Sequence, residues 1–176
     1  KGYEQWAKIH NLKQAAKTMN FLTEHKIEQY ADLTAKIAEI TAANEQAADS
    51  IKAVEKRLAD MAVLIKNVTT YQKTKPVYDT YRKAKNKGSY RADHEQAIIL
   101  HEAAAKALQV AGIKRLPNLT ALQAEYEQLQ LQKETLYTDY GKLKKQVKEY
   151  DVIKRNIDSI LRQDKEPEYN KEATRE

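Results

Sequence analysis

The chain has 176 residues, of which 32% are charged and 41% hydrophobic, and it carries a formal net charge of +6. Four glycines and three prolines in so charged a sequence favour long, exposed helices over a thick globular core. The absence of cysteine excludes disulfides and thiolate metal sites, and no apolar run is long enough to span a membrane, so we expect a cytoplasmic protein.

The first predicted helix covers residues 3–22. Its start has neither an initiator methionine nor the apolar core of a signal peptide, so we expect a fragment of a longer protein. We predict that Trp6 and Met19 cover Tyr30 and Ile157 at the base of the fold. These residues belong to an apolar stripe at helical spacing: Tyr3, Trp6, Ile9, Leu12, Ala16, Met19 and Leu22.

Two heptad ladders, each about six heptads long, predict two long paired helices over residues 29–73 and 118–162. Matching lengths favour an antiparallel hairpin within one chain; the alternative is a parallel coiled coil between chains. Asn44 occupies an a position, where an amide weakens the seam but fixes its register. The first ladder is Tyr30, Leu33, Ile37, Ile40, Asn44, Ala47, Ile51, Val54, Leu58, Met61, Ile65, Val68 and Gln72; the second is Leu119, Leu122, Tyr126, Leu129, Lys133, Leu136, Tyr140, Leu143, Val147, Tyr150, Lys154, Ile157 and Leu161.

Residues 76–111 are predicted to be shorter helices that cap one end of the hairpin. Pro76 should begin one helix that ends at Gly88, and Ser89 should cap the next, which ends near Ala111. Gly112 is suited to a left-handed helix terminus. The predicted inward stripe is Ala97, Ile98, His101, Ala105 and Leu108.

The resulting fold prediction is all-α: one elongated helical domain over residues 1–162. The last long helix should begin at Pro117 and end near Leu161 or Arg162. Residues 163–176, polar and acidic, are predicted to be a disordered tail.

We find no catalytic, metal or cofactor motif. The histidines His10, His25, His94 and His101 lack metal-ligand spacing, and there is no phosphate loop or nucleophile elbow. Lys133 and Lys154 lie at seam positions, where a reactive, low-pKa lysine is conceivable. A stem lying along the seam with its ammonium in water is the better interpretation.

The middle of the chain combines tyrosines with most of the net positive charge: residues 74–118 hold nine Lys or Arg against four Asp or Glu. Basic groups neutralise phosphates and aromatic rings stack on unpaired bases, which suggests a nucleic-acid surface. The alternative is that the tyrosines pack the cap while the lysines keep it soluble. The candidate binding residues are Lys73, Lys75, Tyr78, Tyr81, Arg82, Lys83, Lys85, Lys87 and Arg91.

Several stretches resemble a known family. They are GYEQWAKIHNLKQAAKTMNFLTEH, VEKRLADMAVLIKNVTTYQKTKPVYDTYRKAKNK, LPNLTALQAEYEQL and LYTDYGKLKKQVKEYDVIKRNIDSIL. They are similar to the region that follows the nuclease domain in relaxases, the mobilisation nucleases of conjugative elements from Gram-positive bacteria. The resemblance covers about residues 2–162 as a whole-segment likeness, without a catalytic motif.

The resemblance implies a role in DNA transfer. Relaxases nick one DNA strand with a tyrosine and a histidine-bound metal, but that chemistry belongs to a domain this sequence does not contain, so no catalytic residue is carried over. The implied function is a noncatalytic accessory domain that contacts transfer-origin DNA, other relaxosome proteins or the type IV secretion coupling protein. The alternative is a coiled-coil protein-interaction or dimerisation module, with a homodimer as one form.

Overall fold

The computed structural model describes residues 2–163, which form five helices and no strand. The helices are α1 (Gly2–Glu24), α2 (Tyr30–Lys83), α3 (Lys87–Asp93), α4 (Glu95–Val110) and α5 (Leu119–Gln163). This confirms the all-α prediction. Within residues 2–163, none of the helices combines the length and apolar character needed to cross a bilayer. The predicted disordered tail lies, apart from Gln163, outside the described residues.

The two long helices pack against each other along the predicted seams. In the first ladder, every position from Leu33 to Val68 is buried or half-buried, and in the second, every position from Leu119 to Ile157 is. The two helices run in opposite directions: Tyr30 hydrogen-bonds Asp158, whereas residues further along α2 contact earlier positions of α5. The antiparallel hairpin pairing is therefore confirmed.

Contacts between residues divide the chain into two compact units, which both draw on α2 and α5. Among the described residues, unit 1 comprises 2–49 and 138–163, and unit 2 comprises 50–137. The proposal that these residues form one elongated domain stays a prediction.

Unit 1 has its core where α1 joins the long pair. Phe21 packs edge-on against Tyr150, with ring centroids 4.9 Å apart, beside the fully buried Leu33. Thr18 is also buried, and its hydroxyl accepts a hydrogen bond from Asn156 at 3.1 Å. The inner face of α1 is therefore the one that carries Thr18 and Phe21.

The prediction that Trp6 and Met19 cover the base was wrong. Both side chains are more than half exposed, as are Ile9 and Leu12 of the same stripe. The buried face of α1 is instead the one that carries Phe21, whose ring packs against Tyr150. Met19 nevertheless lines an apolar groove together with Tyr30 and Ile157, whereas Trp6 is not among its lining residues.

Unit 2 has a second core in which α4 packs on the long pair. Val68 is fully buried against Leu108 and Leu122. The predicted inward stripe of α4 is confirmed at Ile98 and His101, which are both buried. The helix ends as expected at Gly112, whose φ of 74° lies in the left-handed region that glycine adopts without strain.

The predicted helix break at Pro76 was wrong, because α2 continues through it to Lys83. A proline inside a helix removes one backbone hydrogen bond and crowds the preceding turn. Here Pro76 is exposed, and so is Gln72, whose carbonyl loses that bond, so water can reach it. Continuing the helix keeps Tyr71 and Tyr78 on the same face, and that face packs on His101.

The boundaries of the next helices also differ from the prediction. Asn86, not Ser89, caps α3: its side-chain oxygen accepts the backbone N–H of Ser89 at 3.1 Å. Gly88 therefore lies inside α3 and ends no helix. Likewise Asn118 caps α5 by accepting the N–H of Ala121 at 3.1 Å, so α5 begins at Leu119 instead of Pro117.

The two lysines of the second seam form ion pairs with carboxylates beside the seam. Lys133 forms an ion pair with Glu55 at 3.0 Å, and Lys154 forms one with Asp158 at 3.0 Å. The hydrogen bond to its carboxylate partner raises the pKa of each lysine, which is the opposite of what a reactive lysine requires. Asn44 differs: its buried side-chain oxygen has no hydrogen-bond partner among the described residues.

Removing the side chain at the centre of the unit 1 core should destabilise the protein. Leu33→Ala is expected to lower the free energy of unfolding by about 2–5 kcal/mol, because Leu33 is fully buried and its loss leaves a cavity. Urea unfolding followed by far-UV circular dichroism measures the change. Leu131→Ala is the matched control, since Leu131 is 62% exposed. Equal losses for the two variants would contradict the assigned core.

Candidate nucleic-acid interface

The candidate residues lie in a basic segment, residues 73–91, that belongs entirely to unit 2. It comprises the last turns of α2, a three-residue link and most of α3. The segment contains seven Lys or Arg residues and a single acidic residue, Asp79. Asn86, the last residue of the link, caps α3 and so fixes where that helix begins.

Five cations of the basic segment are exposed and form no ion pair with any described residue. Lys73 lies about one helical turn before Pro76. The other four lie in the last turn of α2, in the link and at the first residue of α3. Their charge is therefore available to an anionic partner. The five free cations are Lys73, Arg82, Lys83, Lys85 and Lys87.

The other two cations of the segment are engaged within the protein. Lys75 forms an ion pair with Asp79 at 2.8 Å, and this hydrogen bond raises the pKa of Lys75 and lowers that of Asp79. Arg91 donates to the Tyr81 hydroxyl at 3.4 Å and lies 3.4 Å from a carboxylate oxygen of Glu102. These contacts raise the pKa of Arg91, the Tyr81 hydrogen bond most strongly.

The tyrosines are engaged in ring contacts inside unit 2. The Tyr78 ring stacks on His101 with centroids 4.2 Å apart and planes 22° apart, and Tyr71 lies 4.5 Å from the same imidazole. Tyr81 lies 5.9 Å from both the Tyr78 ring and the Arg91 guanidinium carbon. The geometry thus gives Tyr78 and Tyr81 a packing role, which was the alternative interpretation of the sequence.

His101 organises this cluster, and sequence reasoning did not connect it with the tyrosines. It is only 3% exposed, and its Nδ1 lies 2.9 Å from the Thr74 hydroxyl. The same hydroxyl lies 2.7 Å from the Thr70 carbonyl, to which it donates. The available signal was the spacing of Tyr71, Thr74 and Tyr78, which places all three on one helix face.

The burial of His101 changes its titration. Loss of hydration lowers the pKa of the imidazole below its ordinary value of 6.5, against the smaller raising effect of Asp79. Lys75 also disfavours the charged form, whereas Glu102 favours it. The neutral imidazole is therefore the form that unit 2 stabilises.

The free cations are exposed, whereas Tyr78 and Tyr81 are half-buried in the aromatic cluster around His101. Of the nine predicted residues, five present free charge, two present paired charge and two pack inside. Among residues 2–163, no three His, Asp or Glu side chains are placed to hold a metal ion. The described arrangement can attract a polyanion through charge.

Comparison with known proteins identifies no relative of this chain. No protein-family model matches it, and neither does any curated protein or solved structure. The likeness to relaxases therefore depends on the sequence stretches given above.

The stability of the fold should depend on the protonation of His101. The unfolded chain binds a proton near pH 6.5 and the folded chain only at lower pH, so unfolding takes up protons in between. The His101 contribution to stability is therefore complete above about pH 7 and is lost as the pH falls below 6.5.

Urea unfolding between pH 5 and 8 measures this dependence. His101→Phe is expected to flatten the curve, because phenylalanine keeps a ring between Tyr71 and Tyr78 without a titrating group. The Thr74 hydroxyl keeps its bond to the Thr70 carbonyl in that variant. An unchanged pH dependence in His101→Phe would contradict the assignment.

Proposed function

We propose that this chain is a noncatalytic accessory domain of a conjugative relaxase and that it contacts transfer-origin DNA through the basic segment. The family resemblance of residues 2–162 supports the link to DNA transfer. The observation that carries the contact site is the set of five exposed cations without a carboxylate partner. An anion that meets these cations displaces no carboxylate of the protein.

The proposed binding acts through phosphate charge. Each lysine or arginine that neutralises a phosphate releases condensed counterions, which makes the affinity fall steeply with salt concentration. Stacking on unpaired bases needs an available aromatic face. Tyr78 and Tyr81 are half-buried in contacts with His101, Arg91 and each other, so the proposal assigns the contact to the cations alone.

The first test of this proposal is fluorescence anisotropy of the isolated chain with labelled DNA across a range of salt concentrations. If all five free cations neutralise duplex phosphates, the logarithm of the affinity should fall with the logarithm of salt with a slope of about −4.5. Both a duplex and a single strand of the same sequence are titrated. If neither the duplex nor the single strand binds measurably at low salt, the proposed function is refuted.

Reversing charge within the basic segment should weaken DNA binding selectively. The triple variant Arg82→Glu, Lys83→Glu and Lys85→Glu is expected to lose at least about tenfold in affinity, and its salt slope should become shallower by about three. The matched control reverses three exposed lysines of α5 that form no ion pair with a described residue, Lys144, Lys145 and Lys148. An equal loss in the control would show nonspecific attraction, and no loss in the first variant would place the site elsewhere.

Shortening a tyrosine of the cluster should affect stability more than DNA binding. Tyr78→Leu removes the stack on His101 and is expected to lower the free energy of unfolding by about 1–3 kcal/mol. Because the free cations remain, DNA affinity should change by less than about twofold at a temperature where the variant is folded. A selective loss of single-strand binding would instead assign Tyr78 to base stacking.

A second candidate function, a protein-interaction module, is favoured by a different observation. The outer face of α1 exposes several large apolar side chains, among them Leu12 at 73%. A contiguous exposed apolar surface is typical of a protein-binding site. Its partner would be another relaxosome protein, the type IV secretion coupling protein or a second copy of the chain.

A further inference from the structure

An apolar row runs along the outer face of α1. It consists of Ile9, Leu12, Ala16 and Met19, which are all exposed and which follow the 3-4-3 spacing of a heptad seam. The three larger side chains each leave more than half of their surface to solvent. We refer to these four residues as the α1 row.

The α1 row is exposed although α1 is firmly packed on the rest of unit 1. The opposite face holds the helix in place through the Phe21–Tyr150 contact and the hydrogen bond from Asn156 to Thr18. Both contacts involve residues that are distinct from the row. The apolar surface is therefore what remains after α1 has made its contacts within the unit.

Positive charge borders the α1 row on both sides. Counting Ile9 and Ala16 as a positions, Lys8 occupies a g position and Lys13 an e position, and both are exposed. Residues 5–23 contain a third lysine, Lys17, and no acidic residue. A second copy docking through the same row would bring lysines against lysines, which disfavours self-association.

We propose that the α1 row is the docking surface for an amphipathic helix of another protein, with acidic residues beside its own apolar seam. The 3-4-3 spacing fits the knobs of a partner helix, and the bordering lysines select glutamate or aspartate at the facing e and g positions. The proposal gives the protein-interaction function a surface and a partner chemistry. It is independent of DNA binding, because the basic segment belongs to unit 2.

Trp6 provides a direct reporter of docking. It is the single tryptophan of the chain, it is exposed, and it occupies an e position beside Ile9 while stacking on His10. A helix seated on the row would cover part of its indole ring. Docking should therefore shift its fluorescence emission to shorter wavelength.

The experiment titrates the chain with two synthetic peptides that contain no aromatic residue. Both are about three heptads long with leucine at a and d; one has glutamate at e and g, and the other has lysine. The expected result is a blue shift with the glutamate peptide and at least tenfold weaker binding of the lysine peptide. No shift with the glutamate peptide, or equal shifts with both, would overturn the proposal.

Two variants locate the binding on the row. Leu12→Ser should weaken binding of the glutamate peptide at least tenfold. Leu131→Ser, at an exposed leucine of unit 2, should leave that binding unchanged. Lys8→Glu combined with Lys13→Glu should reverse the preference towards the lysine peptide. These side chains are exposed, so the variants should keep the circular dichroism spectrum of the parent. Unchanged peptide affinity in Leu12→Ser, or in the Lys8→Glu and Lys13→Glu double variant, would contradict the assignment.

Two further measurements test the other occupants of the row. Anionic vesicles that shift Trp6 emission more strongly than the glutamate peptide, with loss of the shift in Leu12→Ser, would assign the row to a lipid surface. Sedimentation showing a dimer that Leu12→Ser dissociates would assign it to a second copy. Either result would overturn the helix proposal while leaving the DNA proposal to its own test.

Discussion

Every layer of this structure depends on the apolar seam between α2 and α5. The seam pairs two helices that are otherwise charged, and it buries side chains such as Leu33, Val68 and Leu122. A pair of helices alone has a thin core, because each residue has neighbours on one side only. In each unit a further helix adds apolar side chains to this core: α1 contributes Phe21 in unit 1 and α4 contributes Leu108 in unit 2.

This construction exposes two surfaces of different chemistry. Paired helices with an additional helix in each unit bury apolar side chains but assemble no cluster of metal-binding groups among residues 2–163. The helices instead leave two contrasting surfaces: the free cations around the end of α2 and the apolar row on α1. The first suits phosphates and the second suits another helix, so the two proposed functions require different parts of the chain and are compatible.

The basic segment illustrates how packing separates residues that are interleaved in sequence. Tyrosines and lysines alternate between residues 71 and 91, which suggests a single surface for stacking and charge. In the structure, His101 comes from α4 and packs against the rings of Tyr71 and Tyr78, whereas the helical period places the exposed Lys73 and Lys83 on other faces of α2. The same packing favours an unbroken helix at Pro76, since a break there would displace Tyr78 from the imidazole.

The sequence by itself determined the helical class and the two seams, because a 3.5-residue repeat is a local pattern that specifies which face of a long helix is buried. Matching seam lengths only favoured antiparallel pairing over a parallel coiled coil between chains, and the tertiary structure confirms it. The sequence also located the left-handed terminus at Gly112, which depends only on local backbone freedom. The tertiary structure decided which face of α1 is buried, whether α2 stops at Pro76 and how the tyrosines pack. Those outcomes depend on Tyr150 and His101, which lie far from these residues in sequence, and local patterns carry no information about such partners.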